Sequence, residues 1–595
     1  MCGIVGHIKA KGTIDPLVFE PMIDLLAHRG PDGRGSHYNA EGNIAFGHRR
    51  LSFLDLGENG KQPFLNQDGN IWVSFNGEIY NYLELKEELR SRFEFRTQTD
   101  TEVLLAAYQV WGIEFINKIK GMFAFALYDE KKKSLYLARD RFGIKPLYYG
   151  LPASNELVFA SELKSIRASK AFPKELNYSA ISDYFVYRYI PSPKSIWKGI
   201  HKVPPAHYLK LDLSDFSYKL HEYWKLEASK NEISEAEMVT ETNRLIDQSV
   251  REHLRSDVSI GSFLSGGYDS SALVAKMTQN FLSPNAFTIG FESWGASEHQ
   301  YAKIVADHLK IPLDETIVDQ SSLKEIDKMP IMYDEPIADI SIIPTHLVSK
   351  LASYKNKAVF SGEGADELFG GYTWQHEYFE KRYSKNWLQK IKKLISSEND
   401  LDFYSRSMAM GWFDQSELEQ LLQPNLHASI PDDVHWFYKK HLNKGLSPMK
   451  RIQQLDIKCF MGELVLTKID RASMYHSLEV RVPFLDHHLF EKIFSYPEET
   501  YIDPNQTKKL LYESIKKSLP ASILKRKKQG FVGPDQYYMN ISFYKQQLRN
   551  SKLVAFGIVN QSYIDQLLKR NYDWRLWKIL VLEKWVGHWM SDKQD

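Results

Sequence analysis

The sequence predicts two domains, an α+β half followed by an α/β half built on a parallel sheet. Three observations carry this expectation. The chain has 595 residues, too many for one hydrophobic core. Its first part reads as short strands and glycine turns with few helices, whereas its second part alternates strands with helices. Between them, residues 222–236 turn polar (Glu227, Ser229, Lys230, Asn231, Glu232, Ser234, Glu235) and read as a linker, which sets domains at 1–225 and 226–595.

Composition removes several classes of function. A hydrophobic fraction of 43% and a charged fraction of 25% describe an ordinary globular protein. A formal net charge of +1 gives no electrostatic case for nucleic acid or an anionic membrane. No apolar run approaches the roughly 20 residues of a membrane helix, and the start lacks the basic and apolar regions of a signal peptide. Cys2 and Cys459 are the two cysteines, so no disulfide framework exists. These features point to the cytoplasm.

In the first half, residues 121–128 (GMFAFALY) are apolar and aromatic. They are followed by a turn-like 129–133 and a second apolar run, 134–138, which together read as a buried hairpin. Residues 159–164 read as a strand passing into a helical turn. Helices are expected over 82–92 and 101–111, the second with Val103, Leu104, Ala107 and Val110 on one face. Such strands and helices on a mainly antiparallel sheet make an α+β unit.

Cys2 stands out. A small residue at position two favours removal of Met1, which would leave Cys2 as the N-terminus and argue against any leader. Its α-amine, with a pKa of about 7.7–8.0, could then take the thiol proton without a histidine. The plain alternative is a small hydrophobe in a first strand. Four polar clusters also break the apolar pattern: His28 to Asp32, His48 to Ser52, Asn76 to Asn81, and Thr99 to Glu102. Each has an ordinary reading. Residues 29–32 could be a turn, Arg50 a surface cation, Asn76-Gly77 a hairpin turn, and Asp100 a helix N-cap.

Taken together they form an ordered series: MCGIVG, HRGPD, HRRLS, NGEIYN, TDTE, GMFAFALYD and RDRFGIKPLYY. Along nearly its whole length this half resembles the class II glutamine amidotransferase domain, an N-terminal-nucleophile hydrolase sandwich. The resemblance implies Cys2 as nucleophile, Asn76 and Gly77 as the oxyanion hole, and Arg50 as clamp for the glutamine α-carboxylate. Leu51 and Ser52 join the glutamine site, and Glu78 and Asp100 take the α-amino group. The residue types suit that chemistry. A guanidinium holds a carboxylate bidentately, and a side-chain amide with a backbone N–H can stabilise a tetrahedral oxyanion. The ammonia released would be protonated in bulk water, so it must be used inside the protein.

In the second half a helix is expected with Met238, Leu245, Ile246, Val250 and Leu254 on one face. A strand (258–264), a loop (SGGYDS, 265–270) and a helix (271–281) follow. Further strands at 286–291 and 357–360 end in polar loops, and a helix runs through Ala302, Val305, Ala306 and Leu309. Strands alternating with helices imply a parallel sheet with ligands at its carboxyl edge. A glycine-rich loop opening a helix suits an anion, although SGGYDS lacks the Gly-Lys-Ser/Thr ending of a Walker A loop.

With TIGFE, SGEGADELFGGY, KIDRASM, LEVRVPFLD and RKKQGF, this half resembles the synthetase domain of asparagine synthetase, an α/β ATP-pyrophosphatase unit with a helical insertion. The resemblance implies an adenosine site at Leu264, Ile289, Ser361 and Gly362, and a phosphate cradle of Ser265, Gly266, Gly267, Asp269 and Ser270. Asp269 and Asp366 would hold Mg²⁺, Lys528 would neutralise pyrophosphate, and Glu363 would serve the adenylation step. The ordinary reading of Lys528 is a solvated charge run, 525–528. Residues 377–450, with Trp387, Leu388, Phe403, Trp412, Phe413 and Trp436, read as a helical insertion whose aromatics form core or an interface. His487-His488 reads as a satisfied surface pair rather than a metal site.

The domain order implies glutamine-dependent amide ligation with ATP and Mg²⁺, most simply of aspartate. A sugar uronic acid is an alternative acceptor. A glutaminase or nucleotide sensor with an inactive synthetase half is another, against which Asp269, Glu363, Asp366 and Lys528 argue. The related β-lactam-forming synthetases lose the cysteine that this chain keeps. A homodimer is left open. In the shorter asparagine synthetases a Thr-Thr-Ile-Arg run supplies a cation near the aspartate, and Ile340 falls where that Arg would be. Arg481 is expected to hold the acceptor, and Tyr268 replaces the family's usual aliphatic residue beside the adenylate.

Overall fold

The computed structural model describes residues 2–152, 155–227, 233–280, 282–295, 297–383, 399–503, 506–526, 530–531 and 533–591. Two six-stranded antiparallel sheets form the first half. One runs Ile200–Lys202, Tyr148–Gly150, Glu156–Ala160, Gly3–Lys9, Ile44–Arg50 and Gly33–Tyr38. The other runs Tyr218–Glu222, His207–Asp212, Ser134–Arg139, Gly121–Asp129, Ile71–Ile79 and Phe64–Leu65. Ile4, Phe46, Trp72, Ala124, Leu137 and Phe159 fill the space between them. The outer face of the second sheet packs Phe75 and Phe125 on Val103 and Leu104 of the helix Asp100–Trp111. The first sheet carries the helices Pro16–Asp24 and Leu163–Ala168 on its own outer face. This four-layer α+β sandwich explains the continuous apolar run in Gly121–Asp129, which is covered on both faces.

Two of the plain readings fail here. Asn76 and Gly77 lie inside the strand Ile71–Ile79, not in a hairpin turn. A Cβ on Gly77 would stand 2.1 Å from the Met122 carbonyl oxygen of the neighbouring strand, so only glycine fits. The N-cap of Asp100–Trp111 is Thr99, whose side chain accepts from Glu102 N, and this frees Asp100 for the site.

The second half holds a five-stranded, wholly parallel sheet in the order Leu313–Val318, Ala286–Phe291, Ile260–Phe263, Ala358–Phe360 and Glu479–Arg481. The helix after the glycine loop begins at Tyr268, three residues earlier than its apolar pattern suggests, so Asp269 and Ser270 lie in its first turn. The insertion is helical (Thr373–Tyr383, Asp400–Met408, Gln415–Leu421, Trp436–His441), with Phe403 and Phe413 in the core. Trp387 and Leu388 lie outside the described residues. His487 is buried against His488, with ring centroids 4.1 Å apart, so the surface reading suits only His488. Among the described residues no group of three or more His, Cys, Asp or Glu side chains is placed to hold a metal, and no helix is long and apolar enough to cross a membrane.

The halves interlock. Tyr184, on the helix Tyr178–Tyr187, donates to Lys578 O at 2.8 Å in the C-terminal helix Arg575–Trp589. Phe185 meets Phe413 of the insertion at 5.3 Å.

Candidate active sites

The first site begins with Cys2, 7% exposed at the head of the strand Gly3–Lys9. Its backbone nitrogen donates to Asn76 Oδ1 at 2.9 Å. That contact orients the Asn76 amide and leaves its Nδ2 buried without a hydrogen-bond partner. An unpaired buried donor costs about 1–3 kcal/mol, so the fold holds in reserve a donor that a ligand oxygen would satisfy. Burial pushes the Cys2 thiol pKa up, while the Leu51 backbone N–H and the Arg50 guanidinium oppose it. Arg50 donates to the carbonyls of Leu54 (2.9 Å), Asp55 (2.6 Å) and Gly57 (2.7 Å) and is therefore not a loose surface cation. Ser52 N donates to Asp32 Oδ2 at 2.9 Å.

Glu78 and Asp100 are both 6% exposed. Burial holds Glu78 well above the usual carboxylate range despite Arg481. It lifts Asp100 to about 6 although Ile79 N donates to that carboxylate at 2.9 Å. Here the second half enters. Arg481, expected from the sequence to hold the acceptor, does not line the cavity of the second half. It is fully buried beside Glu78, with Nε on Glu479 Oε1 (2.6 Å), Nη1 on the carbonyls of His253 and Arg255 (2.7 Å each) and Nη2 3.5 Å from Glu78. The cause is the strand Glu479–Arg481, which forms one edge of the parallel sheet against the sandwich. Glu78, Asp100 and Glu479 thus bring three carboxyl groups near one guanidinium, and a cation arriving among them would favour the ionised forms that burial disfavours in Glu78 and Asp100.

Arg29, from HRGPD, lies in a turn as its sequence suggests, but it is fully buried. Its Nε donates to the Cys2 carbonyl at 3.0 Å. Its Nη1 donates to Glu162 at 2.9 Å and to Asp470 of the second half at 3.0 Å. Asp470 lies on the helix Leu466–Met474, which also carries Lys468 into the other site.

That second site is a cavity of about 450 Å³ at the carboxyl edge of the parallel sheet. It gathers Leu264, Ser265, Gly267, Asp269, Ser270, Ile289, Ser361, Gly362, Glu363 and Asp366 on one wall system. Gly266 supports the loop from behind. Its φ is +70°, and a Cβ there would stand 2.5 Å from the Tyr301 backbone. Lys528 lies outside the described residues. Ser265 Oγ accepts from Gly267 N (3.2 Å) and Ser270 Oγ accepts from Ser265 N (3.1 Å), fixing the loop ahead of any ligand. Burial raises the Glu363 pKa, with Ser361 opposing. Tyr268 lines the cavity, but its hydroxyl already donates to Leu524 O.

Three lining residues were given no role by the sequence. Lys508 pairs with Asp269 and, at 2.7 Å, with Asp366. Arg526 turns inward from the basic run onto Glu298 at 2.9 Å, and Arg188 arrives from the first half. Because Asp269 and Asp366 converge on one ammonium, their oxygens also suit a hard divalent cation such as Mg²⁺.

Comparison with known proteins agrees with this geometry. Residues 1–224 match the family described as "Glutamine amidotransferase domain" and residues 241–587 the family described as "Asparagine synthase". Fold and sites define an N-terminal-nucleophile class II amidotransferase joined to an ATP-pyrophosphatase-type domain, an enzyme of the amidotransferase–ligase type that takes ATP as a substrate. The chain is 33% identical to asparagine synthetase [glutamine-hydrolyzing] 1 of Bacillus subtilis, over 98% of this chain and 96% of that protein. It is 34% identical to putative asparagine synthetase [glutamine-hydrolyzing] 2 of Methanocaldococcus jannaschii, over 81% and 100%. It is 29% identical to amidase chry2 of Gibberella zeae, over 95% and 93%. The chain belongs to the asparagine synthase family.

Proposed function

We propose that the chain converts aspartate to asparagine with glutamine as nitrogen donor and ATP as activator. The Cys2 thiol, its proton taken by the α-amine that removal of Met1 would free, attacks the glutamine side-chain amide. Asn76 Nδ2 and Gly77 N–H receive the oxyanion. Arg50 and Ser52 hold the α-carboxylate, while Glu78 and Asp100 hold the α-ammonium. Ammonia leaves, and water cleaves the thioester to glutamate. In the cavity the acceptor carboxylate attacks the α-phosphorus of ATP and pyrophosphate departs, neutralised by Lys528. Ammonia then attacks the acyl-adenylate beside Glu363 and AMP leaves. Asp269 and Asp366 would hold Mg²⁺, which supplies positive charge to the phosphate oxygens.

One observation carries the coupling of the two chemistries. A single helix, Leu466–Met474, gives Asp470 to the Arg29–Cys2 link and Lys468 to the nucleotide cavity. A second acceptor, a sugar uronic acid, is favoured by Ile340 in the cavity wall where shorter relatives have a cation. The discriminating experiment measures glutamine-dependent AMP and pyrophosphate release with aspartate and with uronic acids. Release with aspartate supports asparagine synthesis, and release with a uronic acid alone removes it.

A further inference from the structure

We infer that Arg188 binds the acceptor, through the carboxylate of the acceptor that is not adenylated. This rests on the reading of the cavity as an acyl-adenylate site. Arg188 caps the helix Tyr178–Tyr187 in a left-handed conformation, φ +72°. Its N–H donates to Tyr184 O at 2.8 Å, and its carbonyl accepts from Ala338 N at 2.9 Å. The second bond ties it to the segment that carries Asp339, Ile340 and Ser341 into the cavity. A residue of the sandwich domain is thereby fixed in the wall of the second half's cavity, beside Asp339, Ile340 and Ser341.

Its side chain is uncommitted. The guanidinium lies 5.7 Å from the Phe460 ring centroid. It makes no hydrogen bond or ion pair with any described residue, and its Nε is buried without a partner. The other described cations of the cavity are engaged. Lys468 is on Ser341 (2.6 Å) and Asp339 (3.5 Å), Lys508 is on Asp269 and Asp366, and Arg526 is on Glu298. Lys508 and Arg526 stand by the phosphate loop, Arg526 donating to Ser265 O at 3.3 Å. Arg188 stands with Lys468 and Asp339, and its charge helps to keep the buried Asp339 ionised. Buried donors are ordinarily satisfied, and a guanidinium is matched best by a carboxylate held in two parallel hydrogen bonds. The free fork in the wall is therefore a receptor for a second acidic group on the substrate.

The test uses the full-length chain and the variants Arg188→Gln and Arg188→Lys, with melting temperature as the check on folding. With aspartate as acceptor, Arg188→Gln should raise the aspartate KM about tenfold to a hundredfold with kcat changed only a few-fold, and Arg188→Lys should recover part of the loss. A second measurement needs no turnover. In the presence of a non-hydrolysable ATP analogue, calorimetry should show succinate binding the native chain at least tenfold more tightly than the Gln variant. Propionate, which has one carboxylate, should not distinguish them. Equal succinate binding by both chains, binding by neither, or an equal loss for propionate overturns the assignment. If the native chain makes no AMP with aspartate while succinate binding still depends on Arg188, the aspartate reading falls and the Arg188 site stands.

Discussion

At the scale of residues, the site proposed to take glutamine surrounds the buried Cys2 with donors and acceptors that the free protein leaves incompletely satisfied. Cys2→Ala should abolish synthesis from glutamine and spare synthesis from ammonium salts; equal loss with both donors would refute a two-site enzyme. Because Asn76 Nδ2 has no partner before substrate arrives, Asn76→Ala should lower glutaminase kcat about a hundred- to a thousandfold, measured as glutamate release. Asp100 gives a pH prediction. With its pKa lifted by burial from 3.8 to about 6, it loses its charge as pH falls through 6, and glutamine kcat/KM should fall with it. Stability should move the other way. Between 3.8 and about 6 the native chain holds a proton that the unfolded chain has released, so this group's contribution to stability is present below that window and lost as pH rises through it. Opposite slopes of activity and of denaturation midpoint over this range would identify the group. An Asp100→Asn variant should flatten both.

At the scale of elements, what could be read from the sequence depended on how far each element's environment was local. Gly121–Asp129 and Ser134–Arg139 were legible because strands covered on both faces must be apolar throughout. Asn76-Gly77 has the composition of a hairpin turn, and only its pairing with residues 123 and 124 makes it strand. The edge strand Glu479–Arg481 has three residues, too few for periodicity. The helix Leu466–Met474 continues a helical rod from Pro448 whose middle, Asp456–Val465, is wound as a π-helix. Such winding is rare and concentrates at functional sites, and here Phe460 and Val465 of that segment line the cavity. Since this rod meets both sites, Asp470→Asn should weaken the hold of Arg29 without removing either set of reacting groups. Glutamine should still be hydrolysed, but more than one glutamate should form per AMP, while synthesis from ammonium salts persists. A ratio that stays at one would refute a coupling role for the helix.

At the scale of the molecule, neither site is the property of one domain. The motifs locate most of the groups proposed to act in catalysis, because loops at strand ends carry them in short ordered strings. The motifs misplace Arg481 and miss Arg188, because the surroundings of these two cations are set by where the two halves meet, and they miss Lys508, which reaches Asp269 and Asp366 from a distant part of the second half. Asp269→Asn should suppress pyrophosphate formation with glutamine or ammonium alike, since it removes a charge from the phosphate cradle that both routes share. Loss with one nitrogen source alone would place Asp269 outside that cradle.

The burial of Arg481 and Glu479 against the glutamine site bears on how the protein comes into being. Cys2 belongs to the first sheet of the sandwich, yet the charges of Glu479 and Arg481 beside its neighbours Glu78 and Asp100 are synthesised only after that whole half. A nascent chain that has folded only its sandwich therefore lacks the full electrostatic setting for glutamine.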